Sequence, residues 1–132
     1  MFEVSTEINF AAAHHLREYC GACENVHGHN WLVRATVRAL ELDKIGLAID
    51  FKILKKHIKL IVDKLDHTDL NLIFDEKLGN PSSENIAKYI FNELEKSLKP
   101  EFPQILVYRI DVCETTGNCA SYISSNSLPL VS

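Results

Sequence analysis

A chain of 132 residues with 46% hydrophobic and 24% charged side chains is long enough to bury one real core, and a single domain over 1–132 is expected. Its formal net charge of −4 gives no long-range attraction for nucleic acid, so an anionic ligand must be held by a local cluster of Lys or Arg. No run approaches the roughly 18 apolar residues of a membrane span, and Met1-Phe2-Glu3-Val4 lacks the regions of a secretion signal, so a cytoplasmic protein is expected.

The first element alternates. Phe2, Val4, Thr6, Ile8, Phe10, Ala12 and His14 share one parity, and Glu3, Ser5, Glu7, Asn9, Ala11 and Ala13 the other, which predicts a half-buried strand. A connection over 15–26 holds Cys20, Gly21 and Cys23 and leads to a second strand over 27–40. Strand residues two apart stand on one side. His27 and His29 therefore lie on the face that continues as Trp31, Val33, Ala35, Val37 and Ala39, opposite a mostly polar face of Gly28, Asn30, Leu32, Arg34, Thr36 and Arg38.

Asp50 is suited to cap a helix on Phe51, Leu54, Ile58, Ile61, Val62 and Leu65 that ends near Asp66, with most of its lysines off that stripe. Asn80-Pro81-Ser82-Ser83-Glu84 supplies a cap, a proline for the first helical position and an acidic first turn to a second helix on Ile86, Ala87, Ile90, Leu94 and Leu98. Pro100 and Pro103 end it. A third strand is predicted over 104–115, and Thr116-Gly117-Asn118 turns into a fourth through about Ser124. The order is strand, strand, helix, helix, strand, strand, an α+β class, with a weakly ordered tail over 125–132 and no internal repeat.

His14 closes the first strand and His27 opens the second, so an antiparallel pair brings three imidazoles together on one apolar face. Three neutral imidazoles suit Zn²⁺ and leave a fourth tetrahedral position open. The bland alternative is a set of hydrogen-bonded core histidines. A second alternative is a structural Cys2His2 zinc site, Cys20-x-x-Cys23-x-x-x-His27-x-His29, although its spacing is tighter than a finger's and it leaves His14 unexplained. Gly28 between two ligands is read as room for close approach. His15 and His57 are read as surface histidines. Without a secretion signal the four cysteines (Cys20, Cys23, Cys113, Cys119) are expected to stay reduced, bind metal or do chemistry rather than form disulfides. Asp66-His67 offers a carboxylate beside an imidazole, either a proton-handling pair or a polar helix terminus, and pairing needs a turn there. Leu106, Tyr108, Ile110, Val112 and Glu114 share one parity, so a carboxylate ends an apolar face, where a cyclic ligand with two parallel N–H groups would match it, unless the strand stops short and Glu114 is solvated.

Six ordered motifs carry a resemblance. Phe10-Ala11-Ala12-Ala13-His14, Cys23-x-x-x-His27-Gly28-His29-Asn30, Ile49-Asp50-Phe51, Leu65-Asp66-His67 with Leu70-Asn71, Asn80-Pro81-Ser82-Ser83-Glu84-Asn85 and Cys113-Glu114-Thr115 resemble the 6-pyruvoyl- and 6-carboxy-tetrahydropterin synthase superfamily. The resemblance implies a T-fold: a four-stranded antiparallel sheet with two antiparallel helices on one face, assembled into trimers and hexamers. It implies zinc on His14, His27 and His29, catalysis by Cys23 with Asp66 and His67 reaching in from a neighbouring subunit, and Glu114 anchoring a pterin. The implied substrate is 7,8-dihydroneopterin triphosphate. The compact chain favours the carboxy branch, which releases acetaldehyde and triphosphate and serves 7-deazaguanine (queuosine) biosynthesis; the pyruvoyl branch is the alternative, and a non-catalytic structural-zinc module a third. His15 stands where many members have Arg, and Cys20 is an extra cysteine. No triphosphate contact is legible.

Overall fold

The computed structural model describes residues 1–19 and 25–126. Strands β1 (Phe2–His14) and β2 (His27–Ala39) pair antiparallel in unbroken register, from Phe2 opposite Ala39 to His14 opposite His27. Alternation does the sorting. Trp31, Val33, Ala35, Val37 and Ala39 are sealed from solvent on one face, while Arg34 and Arg38 on the other reach Glu7 and Glu3 across the pair at 3.4 and 2.7 Å. Phe2, expected on the apolar face, is 44% exposed because the core lies nearer the other end of β1.

Helix α1 (Phe51–Val62) buries Leu54, Ile58, Ile61 and Val62, and Asp50 caps it by accepting from the Lys52 amide at 2.8 Å. The helix stops before Asp66: a turn buries Leu65 and delivers Asp66 to the edge of β1, where β3 (Thr68–Asp69) pairs parallel with Ala12 and Ala13. Helix α2 (Ser83–Leu98) is capped by Ser82, not by the Asn80-Pro81 pair, since the Ser82 hydroxyl accepts from the Asn85 amide at 3.2 Å. Asn80 and Pro81 before it have other work, described below. The helix buries Ile86, Ala87, Ile90, Phe91, Leu94 and Leu98, and packs over β4 (Leu106–Thr115) and β5 (Asn118–Ile123), while α1 packs over β1 and against α2. No helix among the described residues is long and apolar enough to cross a membrane.

The sheet order is β3-β1-β2-β4-β5, one short strand more than the four expected, with every other pairing antiparallel. Two irregularities in β4 bear on the site. Opposite Thr36 and Val37 the register slips from Arg109 to Val107, so Val107 enters the core and Tyr108 turns to the outer face, under the Arg38 guanidinium 3.3 Å from its ring centre. The expected parity thus holds for Ile110 and Val112 but fails below them. Towards β5 the register runs Cys113 opposite Cys119, then Thr115 opposite Asn118, leaving Glu114 unpaired in a bulge.

Cys113 and Cys119 form a disulfide, contrary to the expectation of free thiols. Their register explains it: a tight turn through Gly117, at φ +92°, sets the two residues opposite each other. His57 is also no surface residue, because its Nδ1 meets the Ser97 hydroxyl at 2.5 Å and its ring lies edge-on to Phe102.

Candidate metal centre

His14 and His27 are direct partners in the β1–β2 ladder, and His29 follows on the same face, so ordinary strand pairing converges the rings. Their centroids lie 4.6, 4.7 and 5.2 Å apart. Trp31, the next residue on that face, forms the wall between the cluster and the core. Its indole stands edge-on to His14 and His29 at 4.9 and 5.3 Å, stacks on Phe10, and donates from Nε1 to the Ala12 oxygen at 3.2 Å.

The proton positions follow from the partners. His14 Nδ1 lies 2.7 Å from the Pro81 main-chain oxygen and His27 Nδ1 2.6 Å from that of Asn25. A carbonyl only accepts, so both Nδ1 atoms carry hydrogen and each neutral ring keeps a lone pair on Nε2. Yet these Nε2 atoms face each other at 3.0 Å. Glu114, on the same face as Ile110 and Val112, adds Oε1 at 3.5 Å from His14 Nε2, 3.8 Å from His27 Nε2 and 2.5 Å from His29 Nε2. His29 Nε2 is buried, and the Glu114 carboxylate is the group that faces it. Burial is the main reason the His29 pKa falls, and His14 and His27 push the same way against the raising effect of Glu114.

Four ligand atoms within 4.8 Å of one another, with the His14 and His27 rings held in the ligating tautomer, can hold a cation at their centre. Three nitrogens and one oxygen suit a first-row transition ion such as zinc better than calcium or magnesium, which prefer oxygen. The backbone carbonyls on His14 and His27 supply the outer hydrogen bonds that metal-bound histidines use to fix ring orientation.

Asp66 and His67 do pair, through the turn the sequence required: His67 adopts φ +57°, and its Nδ1 stands 3.0 Å from Asp66 Oδ2. Asp66 Oδ1 accepts from the Ala11 amide at 2.9 Å, which is the main reason its carboxyl lies below the ordinary range, with His67 reinforcing the effect against a raising contribution from burial. The His67 amide returns a bond to the Ala11 oxygen at 2.6 Å. The ring of His67 is 83% exposed and lies with Gly28, Asn30 and Ala13 along a depression of about 460 Å³. Neither residue belongs to the four-donor cluster of the described residues. Cys20 and Cys23, and with them the proposed catalytic thiol and the Cys2His2 alternative, lie outside those residues.

Sequence reasoning missed the supports. Asn71 accepts from the His15 amide at 2.8 Å and donates to its oxygen at 3.0 Å; Asn80 treats Arg17 the same way at 2.9 and 3.0 Å. Ala11, His15 and Arg17 are alternate residues whose main-chain groups face the same edge, so Asp66-His67, Asn71 and Asn80 together continue the pairing that β3 begins. His15 is accordingly partly buried against Asn71, not at the surface. Asn85 donates to the Asn80 oxygen at 2.9 Å, and Gly79, at φ +82°, is needed because a Cβ there would stand 2.9 Å from Asn85 Nδ2. Gly28 has no such duty: a Cβ would meet nothing within 4 Å. The spacing of two asparagines from one edge is a signal visible only once the strand is placed.

Comparison with known proteins bears on the whole chain. Residues 3–125 match the family model described as 6-pyruvoyl tetrahydropterin synthase. A 6-carboxy-5,6,7,8-tetrahydropterin synthase from Synechocystis sp. is 34% identical over 138 residues, covering 99% of this chain and 100% of the relative. Another, from Bacillus subtilis, is 36% identical over 116 residues, covering 80% and 77%. The solved 6-pyruvoyl tetrahydropterin synthase of Caenorhabditis elegans matches the fold with a TM-score of 0.79 at 28% identity, covering 94% of this chain and 96% of that one.

Proposed function

The chain belongs to the 6-pyruvoyl tetrahydropterin synthase family, and from that premise we propose that it is a zinc-dependent 6-carboxy-5,6,7,8-tetrahydropterin synthase. The observation that carries the reading is the convergence of His14, His27 and His29, the first two in ligating tautomers, within a chain that two 6-carboxy-5,6,7,8-tetrahydropterin synthases match at 34% and 36% identity. The substrate is 7,8-dihydroneopterin triphosphate, and the products are 6-carboxytetrahydropterin, acetaldehyde and triphosphate, for 7-deazaguanine (queuosine) biosynthesis in the cytoplasm.

His14, His27 and His29 hold the ion. Zinc, when bound, supplies Lewis acidity toward the side-chain oxygens of the substrate. Glu114 takes the paired N–H groups of the pterin ring in a bidentate, charge-assisted contact. The Cys23 thiolate removes a carbon-bound proton, and His67, held in one orientation by Asp66, handles the later proton transfers. The exposure of His67 and its separation from the four-donor cluster support a role across a subunit boundary, in a hexamer built as a dimer of trimers.

The pyruvoyl branch is the second reading, favoured by the name of the Caenorhabditis elegans structure. Incubation with 7,8-dihydroneopterin triphosphate separates the two: acetaldehyde with triphosphate marks the carboxy branch, and triphosphate without acetaldehyde the pyruvoyl branch. Binding of the substrate with release of neither product would overturn the enzyme reading.

A further inference from the structure

Glu114 occupies a position that a pterin anchor alone does not need. Its Oε1 stands 2.5, 3.5 and 3.8 Å from the three histidine Nε2 atoms, and His14 and His27 Nε2 are 3.0 Å apart. The ligand-to-ligand edge of a zinc tetrahedron is about 3.3 Å for bonds near 2 Å, and these contacts scatter around that length. All four are atoms able to ligate, within 4.8 Å of one another. A carboxylate there also offsets the charge of a divalent ion in a pocket walled by the buried Trp31.

Building on the proposed pterin activity, we infer that Glu114 is a displaceable fourth ligand. Without substrate its carboxylate closes the coordination of the ion on His14, His27 and His29; a pterin ring draws it off and opens that position to the substrate side chain. Two observations make the exchange feasible. Glu114 sits unpaired in the bulge between Cys113 and Thr115, so its side chain is not tied to a ladder position, and it keeps 31% exposure where it could swing outward. Turning both oxygens toward two parallel N–H groups reorients the carboxylate away from its present Oε1 contacts with the three imidazoles. The two engagements therefore compete for one carboxylate, which links recognition of the ring to opening of the metal.

The test measures zinc affinity by chelator competition on the full chain, for wild type and Glu114→Gln, alone and with saturating unsubstituted pterin, which has the ring but no side chain to ligate the ion. Thermal unfolding of both zinc-free proteins checks that each is folded. Expected are a zinc affinity at least tenfold weaker in E114Q, and a wild-type affinity that pterin weakens toward the mutant value. By linkage, zinc must weaken pterin binding to wild type by the same factor. Cobalt substitution adds an optical readout, since loss of the carboxylate alters the visible spectrum. Equal zinc affinity in wild type and E114Q, with His27→Ala losing zinc, overturns the fourth-ligand assignment. A wild-type affinity that bound pterin leaves unchanged overturns the displacement. Neither result touches the enzyme reading, which stands or falls on triphosphate release.

Discussion

The Nε2 atoms of His14 and His27 face one another at 3.0 Å although each ring has already committed its Nδ1 hydrogen to a main-chain oxygen. Two lone pairs at that distance repel unless a metal ion or a shared proton lies between them, and the four-donor cluster offers the ion a place. Stripping metal from the protein should therefore lower its melting temperature, and restoring zinc should raise it in a concentration-dependent way, as for any ligand bound only by the folded state. His27→Ala should abolish the shift. Cys20→Ser and Cys23→Ser should each retain zinc, and a metal-free Cys23→Ser would instead restore the Cys2His2 site as the better account.

Asp66 links the edge of β1 to His67, and its carboxyl is held below its ordinary pKa chiefly by the Ala11 amide. A depressed folded-state pKa means that the ionised group stabilises the fold above the unfolded-state value, about 4 for an aspartate, and that this contribution is lost as pH falls through the lower folded value. Asp66→Asn should be less stable than wild type at neutral pH, with the gap closing below about pH 4. Urea unfolding across a pH series measures it; a gap that persists undiminished into acid would contradict the assignment.

His67→Ala should cut turnover by about 10² or more, the usual scale of acid–base catalysis, while zinc content stays at the wild-type level. Mixing inactive His67→Ala with inactive Cys23→Ala chains should recover part of the activity if sites form between subunits. No recovery in reassembled oligomers would place both residues in one chain's site.

Asn71 and Asn80 each serve both the N–H and the C=O of one residue of the segment that leaves β1. Removing either amide orphans two partly buried main-chain groups, so Asn80→Ala and Asn71→Ala should each cost about 1–3 kcal/mol in urea unfolding. Asn80→Asp keeps the acceptor and loses the donor, and should fall between wild type and alanine.

Reduction of Cys113–Cys119 should cost at most about 2 kcal/mol in the chain-entropy account, because the loop is short and the turn already closes it. Cys113→Ser with Cys119→Ser should keep zinc affinity, since both sulfurs lie outside the four-donor cluster. Mass spectrometry after alkylation of freshly lysed cells reports whether the bond exists in its own compartment.

The parity of β1 and β2 made the histidine cluster legible, because strand alternation is local and survives folding unchanged. The bulges were not. Tyr108 and Val107 exchange faces through a register slip that depends on the neighbouring strand, whereas Glu114 keeps the face its parity with Ile110 and Val112 predicts. Strand β3 has only two residues, too few to show a period, and is held by side chains from Asp66 onward. The cap at Ser82 was obscured by a stronger local signal at Asn80-Pro81, whose side chain and carbonyl are spent on Arg17 and His14. The disulfide is legible only in the symmetry of Cys113 and Cys119 about the turn, which the register of β4 and β5 sets opposite each other.

Trp31 is the only tryptophan of the chain, and it stands with its edge against two of the three histidines. A protonated imidazole, a neutral one and one bound to an ion quench a neighbouring indole differently. The molecule therefore contains its own fluorophore at the wall of the cluster, and emission on excitation near the indole band should follow metal loading in real time without any added label.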